Sequence, residues 1–259
     1  SDADFYMPQR QASAFVFPDN TFGKKAYDRY VIEDETNNRY QATPELASYL
    51  GNIDRLRYLS CKYAAIAELC MQEPGNCFVY SEFVPTGAVM LGLIFEALGF
   101  EQYNESQSMF QKKKGLKKGL PPVCSNREEV ENREPRIPRN PRRYALLTPN
   151  TRSSVVDSMM EAFNSYENRH GDYIKVMIGS PVSRDGINLA NVLQVHIASA
   201  GWNPSTIYQA ISRAIRATSH VALIEEERER LIAAGQNPDT ARVEVKVFKH
   251  VAVASNDDS

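Results

Sequence analysis

Three polar side chains in the last quarter of the sequence have a spacing that suits chemistry on an anion. Gln209, Arg213 and Arg216 are separated by steps of four and three residues, which places them on one face of a helix. Two fixed positive charges on one stripe are what a phosphoryl-transfer site needs on a γ-phosphate during hydrolysis. For two arginines alone, the alternative of a surface pair that forms salt bridges with acids stays open.

A second polar segment runs from Gly179 to Leu189 and is rich in small residues. Gly186 lets the backbone approach a ligand closely, and Ser180 together with free backbone N–H groups can bind phosphate oxygens. Asp185 and Asn188 carry short polar groups that suit a ribose hydroxyl. The alternative is that this segment is only the exit from a strand.

Positive charge is concentrated in residues 111–143. This stretch contains eleven Lys or Arg and four acidic residues, a net charge of +7, whereas the whole chain has a net charge of −2. A basic block in an acidic protein suits a local polyanion, and the alternative is a solvated loop with no specific ligand. The candidate nucleic-acid-binding lysines are Lys112, Lys113, Lys114, Lys117 and Lys118.

The motifs of a complete nucleoside-triphosphate site are absent from the sequence. No Gly-x-x-x-x-Gly-Lys-Ser/Thr loop occurs, since the segment Gly115–Gly119 fails the spacing. No Asp-Glu-x-x box lies on a predicted strand, since Glu33–Glu35 stands in a polar stretch. If this chain contacts a nucleoside triphosphate, it therefore supplies only half of the site.

Composition excludes several classes of protein. With 42% apolar and 24% charged residues, the chain is neither collagenous, mucin-like nor a coiled coil. It has no apolar run near the roughly 18 residues of a membrane span, and no secretory leader pattern. The four cysteines form no Cys-x-x-Cys pair and the four histidines add no ligand spacing. We therefore expect reduced thiols, an intracellular location and no metal site.

Short apolar runs alternate with helical patterns along the chain, and the runs are apolar throughout. This alternation predicts an α/β fold with a parallel sheet covered by helices on both faces. The predicted strands are Cys77–Ser81, Tyr144–Thr148, Ile174–Ile178, Val192–Ala198, Val221–Ile224 and Val243–Val253. The predicted helices are Glu45–Glu73 with a break near Gly51, Gly87–Leu98, Ser153–Phe163, Thr206–Ala217 and Glu225–Ala234.

These elements suggest how the chain is organised. Residues 1–45 are expected to form an irregular or partly helical N-terminal segment, residues 46–254 the α/β domain with a basic insertion at about 104–143, and residues 255–259 a tail. Ligands of such sheets bind at the carboxyl ends of the strands. The loops after Tyr80, Leu147, Ile178 and Ala198 are therefore the candidate site.

In their order and spacing, these motifs resemble the second, C-terminal RecA-like domain of superfamily-2 helicases and translocases. Val79-Tyr80-Ser81 corresponds to motif IV, Gly179–Leu189 to motif V, and Gln209 to Arg216 to motif VI. Trp202-Asn203-Pro204 is similar to the Swi/Snf-type remodelling ATPases.

Three further segments resemble those of the helicase-like NTPases of large cytoplasmic DNA viruses. This group includes the smaller subunit of the poxvirus early transcription factor. The residues that carry this similarity are Phe15-Val16-Phe17-Pro18, Phe163-Asn164 with Asn168 and Gly171, and Arg216-Ala217-Thr218-Ser219-His220.

The resemblance implies a role for each matching ATP-site residue. Arg216 matches the arginine finger that reaches the γ-phosphate of ATP on the partner domain, and Arg213 matches the second arginine near the same phosphate. Gln209 matches the polar anchor of the motif. Gly186 and Asn188 match positions near the ribose and the attacking water.

Further matches concern the nucleic-acid strand. Ser180 lies where the family places a hydroxyl that holds a phosphate, and Ser81 and Thr148 match contacts to the backbone of the tracked strand. Asp185 departs from the pattern, because many helicases have an arginine at this position before the glycine.

The resemblance implies that the chain is the C-terminal half of an ATP-dependent helicase or translocase of viral type. ATP and Mg²⁺ would be bound mainly by an N-terminal RecA-like domain of the same polypeptide, so the isolated chain is expected to be inactive. The implied partners are that domain, a DNA or RNA backbone and transcription machinery, without a membrane, in host cytoplasm or virion.

Two alternatives from other classes stay open. One is a non-catalytic module that binds nucleic acid or protein. The other is a transcription-factor ATPase subunit that does not unwind duplex.

Overall fold

Six parallel strands form the central sheet of the protein, as the sequence predicts. The computed structural model describes residues 7–34, 39–103, 142–181, 187–199 and 219–253, together with residues 205, 208, 211 and 212. The strands are β1 Val31–Asp34, β2 Arg39–Ala42, β3 Asn76–Tyr80, β4 Glu101–Gln102, β5 Arg143–Leu147, β6 Val176–Gly179, β7 Val192–Ile197 and β8 Lys246–Lys249. β1 and β2 pair as an antiparallel hairpin, and the sheet has the order β4-β5-β6-β3-β7-β8.

The middle of the sheet is buried on both faces. Every residue of β3, β5 and β6 is buried, which explains why these strands are continuous apolar runs rather than alternating ones. Successive side chains point to opposite faces: Cys77 and Val79 join one core, and Phe78 and Tyr80 join the other.

The first core lies between the sheet and the N-terminal helices. These helices are α1 Met7–Ala14, α2 Lys24–Tyr30, α3 Pro44–Leu50, α4 Ile53–Leu59, α5 Cys61–Gln72 and α6 Met90–Ala97. Phe15 and Phe17 are fully buried, and the Phe15 ring stacks on Tyr63 at a centroid distance of 5.9 Å. The N-terminal segment expected to be irregular or partly helical contains two helices, and it also contains the β1–β2 hairpin, which the sequence did not predict. Residues of both pack into this core.

The helix predicted over Glu45–Glu73 is divided twice rather than once. The Asn52 side chain accepts a hydrogen bond from the N–H of Arg55 at 3.0 Å and begins α4. The Ser60 hydroxyl accepts from the N–H of Tyr63 at 3.1 Å and begins α5. Each side chain satisfies an otherwise unpaired amide at the start of a new helix, so the chain can change direction at both positions.

The second core lies under α7, Ser153–Asn164, on the other face of the sheet. Its buried side chains are Val156, Met159, Ala162 and Phe163, which recur at helical spacing and confirm the prediction of an amphipathic helix here. No described helix combines the length and the apolar character needed to cross a lipid bilayer.

Two features near the C-terminal end differ from the sequence predictions. The expected strand Val221–Ile224 is instead the first turn of α8, Val221–Ala233, because its apolar residues continue a helical pattern that ends with the buried Leu231. The last strand is limited to β8, shorter than the predicted Val243–Val253. Three positions of the predicted helix Thr206–Ala217, namely 208, 211 and 212, are helical, as is the preceding Ser205, and the rest of this helix lies outside the described residues.

Two arginines assigned to the basic block belong to the folded sheet. Arg143 is the first residue of β5 and is 4% exposed. Arg142 donates a hydrogen bond to the carbonyl of Met71 at 2.9 Å. The prediction of a basic insertion extending to residue 143 was therefore wrong for these two residues, while residues 104–141 lie outside the described part of the chain.

Candidate functional site at the carboxyl edge of the sheet

The strand register brings the predicted loops to one edge of the sheet. Gly179 at the end of β6 is paired with Leu147 of β5 and with Tyr80 of β3. Tyr80 is in turn paired with Ile197 of β7. Four neighbouring strands thus end level with one another, and the segments that follow them form a continuous rim where ligands of parallel sheets bind.

Ser81 lies in this rim, but its hydroxyl is turned inward. The residue is 0% exposed, and its hydroxyl donates to the carbonyl of Phe83 at 3.1 Å. Its backbone N–H donates to the carbonyl of Gly179 at 3.0 Å. A Cβ on Gly87 would lie 2.0 Å from Ser81 Oγ. Ser81 therefore fixes the tight turn Val84–Val89 that leads into α6.

Thr148 and Ser180 also use their polar groups inside the protein. Their exposed fractions are 1% and 5%. The N–H of Thr148 donates to Thr151 Oγ1 at 3.0 Å, and the Ser180 hydroxyl donates to the carbonyl of Leu147 at 3.2 Å. The hydroxyls of Ser81, Thr148 and Ser180 are thus engaged in contacts inside the protein. The exposed groups at the rim belong to other residues.

The exposed start of α7 follows the loop after Leu147, which the sequence analysis selected, but of this loop only Thr148 was among the candidate residues. Residues 149 and 150 and Arg152 are exposed between β5 and the helix, as are Ser153 and Ser154. Backbone N–H groups at a helix N-terminus favour anions. The available signal was a Thr-Pro-Asn-Thr-Arg-Ser segment directly after a buried strand.

Asn188 is exposed, and Asn164 holds its backbone in place. Asn164 Nδ2 donates to the carbonyl of Asn188 at 2.8 Å, and Asn164 Oδ1 accepts from the N–H of Ala190 at 2.8 Å. Asn164 is the last residue of α7. One side chain thus fastens the end of the candidate motif V segment to the helix beneath it.

Asn168 organises the turn between α7 and β6. It is fully buried and donates to the carbonyls of Phe163 and Ile174 at 2.9 and 3.2 Å. Its oxygen accepts from the N–H groups of Tyr173 and Ile174 at 3.0 and 2.9 Å. Gly171 adopts a φ of +81°, where a Cβ would come 2.8 Å from Asn76 Oδ1. These contacts explain the spacing of asparagines and glycine noted in the sequence.

His220 has a structural contact as well. Its Nε2 lies 2.7 Å from the carbonyl oxygen of Val192, and the residue is 6% exposed. It joins the start of α8 to the start of β7, which explains the position of the histidine that follows the candidate motif VI.

Glu82, an acidic residue in the described part of the rim, is paired with a basic neighbour. Glu82 forms an ion pair with Arg10, whose guanidinium also lies over the Phe83 ring at 5.2 Å from its centroid. The N–H of Glu82 donates to Ser199 Oγ at 2.7 Å. Pairing removes most of the repulsion that a bare carboxylate would exert on a phosphate at this edge.

The remaining candidates lie outside the described residues. These candidates are Asp185, Gly186, Gln209, Arg213, Arg216 and the lysines Lys112, Lys113, Lys114, Lys117 and Lys118. Trp202 also lies outside the described residues. Within the predicted motif VI helix, Ile211 packs against the second core. Tyr208 is exposed, with Lys249 Nζ at 5.8 Å from its ring centroid.

Residues 123–218 match the family described as the helicase conserved C-terminal domain. The matched stretch includes the candidate motifs V and VI and the segment from β5 to β7. The match therefore covers three of the four strands that end at the rim, β5, β6 and β7, and leaves out β3.

Viral proteins are similar over most of the chain. A protein provisionally named helicase 087L of Invertebrate iridescent virus 3 is 28% identical over 98% of the chain. A protein provisionally named ATP-dependent RNA helicase R563 of Acanthamoeba polyphaga mimivirus is 26% identical over 84% of the chain. The chain spans 22% and 30%, respectively, of the lengths of these two relatives.

A third relative has a name from transcription. The termination factor NPH-I homolog of African swine fever virus is 27% identical over 65% of the chain, which spans 24% of that protein. The family match, these relatives and the parallel α/β sheet together support a C-terminal superfamily-2 helicase domain of the type found in large DNA viruses.

Proposed function

From the similarity to helicase C-terminal domains, we propose that this chain is one half of an ATP-dependent helicase or translocase that moves along DNA or RNA. ATP and Mg²⁺ are held mainly by an N-terminal RecA-like domain of the same polypeptide. The observation that carries the proposal is the family match over residues 123–218, in a sequence that has no P-loop of its own.

Arg213 and Arg216 are proposed to complete the ATP site from the second side of the cleft. On a regular helix, positions 209, 213 and 216 lie about 140° to 160° around the axis from position 211. Ile211 packs inward against the second core, so the Gln209–Arg216 stripe is expected to face away from the sheet. In that position, Arg216 is the arginine finger and Arg213 supports it at the γ-phosphate.

The ATP-binding set also includes the loop after β6. Gly186 and Asn188 are proposed to lie beside the ribose and the attacking water, and Asp185 to make a polar contact next to them. The support for Asn188 is that it is exposed while its backbone is fastened by Asn164 at 2.8 Å. A fixed loop costs less entropy when it binds a ligand.

The nucleic-acid strand is proposed to cross the carboxyl rim. Ser81, Thr148 and Ser180 shape this surface, because their hydroxyls are used within it. Phosphates then contact backbone N–H groups of the rim and the exposed start of α7 with Arg152, and the lysines from Lys112 to Lys118 add charge. Such contacts depend on salt and are insensitive to sequence.

The first experiment compares the purified 259-residue chain with a longer polypeptide that adds the P-loop domain. We expect no ATP turnover from the chain alone and turnover, stimulated by nucleic acid, from the longer protein. ATP hydrolysis by the chain alone that disappears in Arg216→Ala would overturn the split-site proposal. Arg228→Ala, at an exposed position on α8, is the matched control.

A second candidate function follows from the relative that is named a termination factor homolog. The same ATPase would then remodel a transcription complex without unwinding duplex. A strand-displacement assay with the longer protein separates the two: ATP turnover without displacement of a labelled strand favours remodelling, and displacement favours a helicase.

A further inference from the structure

Two cysteines and a histidine meet on the side of the sheet that carries the first core, beneath α5. Cys70 lies near the end of α5, Cys77 is in β3 and His196 is in β7. All three residues are 0% exposed, and one ligand atom from each lies within 4.8 Å of the other two. His196 is paired with Val79 in register, so it shares the face of the sheet that carries Cys77.

We propose that Cys70, Cys77 and His196 form a structural site for a thiophilic divalent metal ion, with Zn²⁺ as the expected occupant. Zinc–sulfur and zinc–nitrogen bonds of about 2.3 and 2.0 Å place the ligand atoms of a tetrahedral site about 3.5 to 3.8 Å apart. The observed cluster requires only a small contraction of its side chains to reach that spacing.

His196 is held in the way that metal-bound histidines are held. Its Nδ1 lies 3.0 Å from His250 Nε2, and its Nε2 lies 3.1 Å from Gln194 Oε1. If Nε2 binds the metal, Nδ1 keeps His250 as a hydrogen-bond partner that orients the ring. Burial lowers the pKa of His196 to about 3, so the ring is neutral and its lone pair is available.

Binding of a metal ion would deprotonate both thiols. The Cys70 thiol donates toward Cys77 and lowers the pKa of Cys77, while burial raises the pKa of Cys70. When the metal binds, the S–H bonds are replaced by sulfur–metal bonds and the protons leave to solvent. Two thiolates then balance the two positive charges of the ion, which leaves a neutral centre in the core.

The turn between the two cysteines is fixed by a buried lysine. Lys175 Nζ donates to the carbonyl of Glu73 at 2.7 Å and also to the carbonyl of Gly75. Lys175 is 4% exposed. It therefore holds the chain reversal that brings Cys77 back beneath Cys70, whether or not a metal is bound.

A fourth ligand is available beside the cluster. Gln194 is 1% exposed, and its Nε2 has no hydrogen-bond partner among the described residues. Its amide oxygen, 3.1 Å from His196 Nε2, can occupy the remaining tetrahedral position. The metal would tie α5 to β3 and β7, and so join the N-terminal helical layer to the sheet.

The test uses the whole 259-residue chain, reduced, stripped of metal and carrying Cys124→Ser to remove one thiol outside the described residues. Titration with Co²⁺ is expected to give a thiolate-to-cobalt charge-transfer band that saturates at a single equivalent and is displaced by Zn²⁺. Cys70→Ser, Cys77→Ser and His196→Gln should each weaken binding at least about tenfold. Cys61→Ser is the matched control, because Cys61 begins the same helix and is exposed.

A second measurement avoids variants that fold poorly. Alkylation of the native chain is followed at each cysteine by mass spectrometry, with and without Zn²⁺. Zinc should slow the modification of Cys70 and Cys77 and leave that of Cys61 unchanged. The proposal is overturned if no stoichiometric metal binds, if binding survives both serine variants, or if the two buried thiols form a disulfide in preference to binding metal.

Discussion

At the residue scale, hydrogen bonds to the backbone decide how the candidate site is built. Asn164 and Asn168 each donate through the side-chain nitrogen and accept through the side-chain oxygen, whereas an ionised aspartate could only accept. The asparagines therefore act as fixed connectors between α7, β6 and the loop after β6. Their contribution to function is the position that they give to other residues.

Asn164 and Asn188 provide a matched pair for a first prediction. Asn164→Ala removes both bonds to the loop, so we expect a loss of about 1 to 3 kcal/mol in the free energy of unfolding. Asn188→Ala should leave the loop in place, because only its backbone carbonyl is used. Hydrogen exchange at the Ala190 amide is the direct measurement, and equal exchange rates in the two variants would contradict the clamp.

Some residue roles could be predicted from the sequence and others could not. The sequence placed Ser81, Thr148 and Ser180 correctly at strand ends, because strand boundaries follow the apolar runs. It could not show that their hydroxyls turn inward, because that depends on the carbonyls and glycines packed around them, such as Gly87. The rim of exposed groups is therefore visible only in three dimensions.

At the element scale, capping side chains explain where the sequence prediction failed. Apolar spacing over Glu45–Glu73 suggests a helix with one break near Gly51, where Asn52 begins a new helix, but it does not reveal the second break, where Ser60 begins another. Ser60 also donates to the carbonyl of Ala14 at 2.6 Å. It thus links the start of α5 to the N-terminal segment, and this long-range contact has no local signature in the sequence.

The two caps lead to a second prediction. Ser60→Ala removes a buried cap and a buried tertiary bond, so we expect a loss of about 2 to 3 kcal/mol in the free energy of unfolding. Asn52→Ala removes an exposed cap and should cost about 1 kcal/mol. Urea unfolding of both variants measures the difference, and a larger effect of Asn52→Ala would contradict this account of the helix boundaries.

The parallel sheet was the most predictable feature of the fold. Strands that are buried on both faces are mainly apolar, so each strand is recognisable in the sequence as a short continuous apolar run. The Cys70, Cys77 and His196 cluster had no comparable signal, since its members come from α5, β3 and β7. The expectation of no metal site rested on local spacing, and the fold brings together residues that local spacing does not relate.

At the scale of the whole molecule, charge is separated between two regions. The described rim pairs its acidic residue Glu82 with Arg10, while most of the positive charge of residues 111–143 lies in the stretch beyond the described part. If that stretch contacts nucleic acid, affinity should fall steeply with salt, because counterions are released from the phosphates.

A third prediction concerns the five lysines Lys112, Lys113, Lys114, Lys117 and Lys118. Replacing all five with Gln should weaken binding to single-stranded DNA and reduce the salt slope by up to about 3 to 4, near 0.7 for each phosphate contact. Lys25→Gln with Lys249→Gln, both at exposed positions, is the control. Fluorescence anisotropy across a salt series is the measurement, and an unchanged slope would assign the block to a solvated loop.

The central claim is that this domain completes an ATP site held by another domain. The most direct test is single-turnover ATP hydrolysis by the longer polypeptide with and without Arg216→Ala, alongside ATP affinity measured separately. We predict a loss of about 10³-fold or more in the hydrolysis rate, with ATP still bound, because the arginine acts on charge that develops at the γ-phosphate. An Arg216→Ala variant that hydrolyses ATP at the wild-type rate would contradict the account.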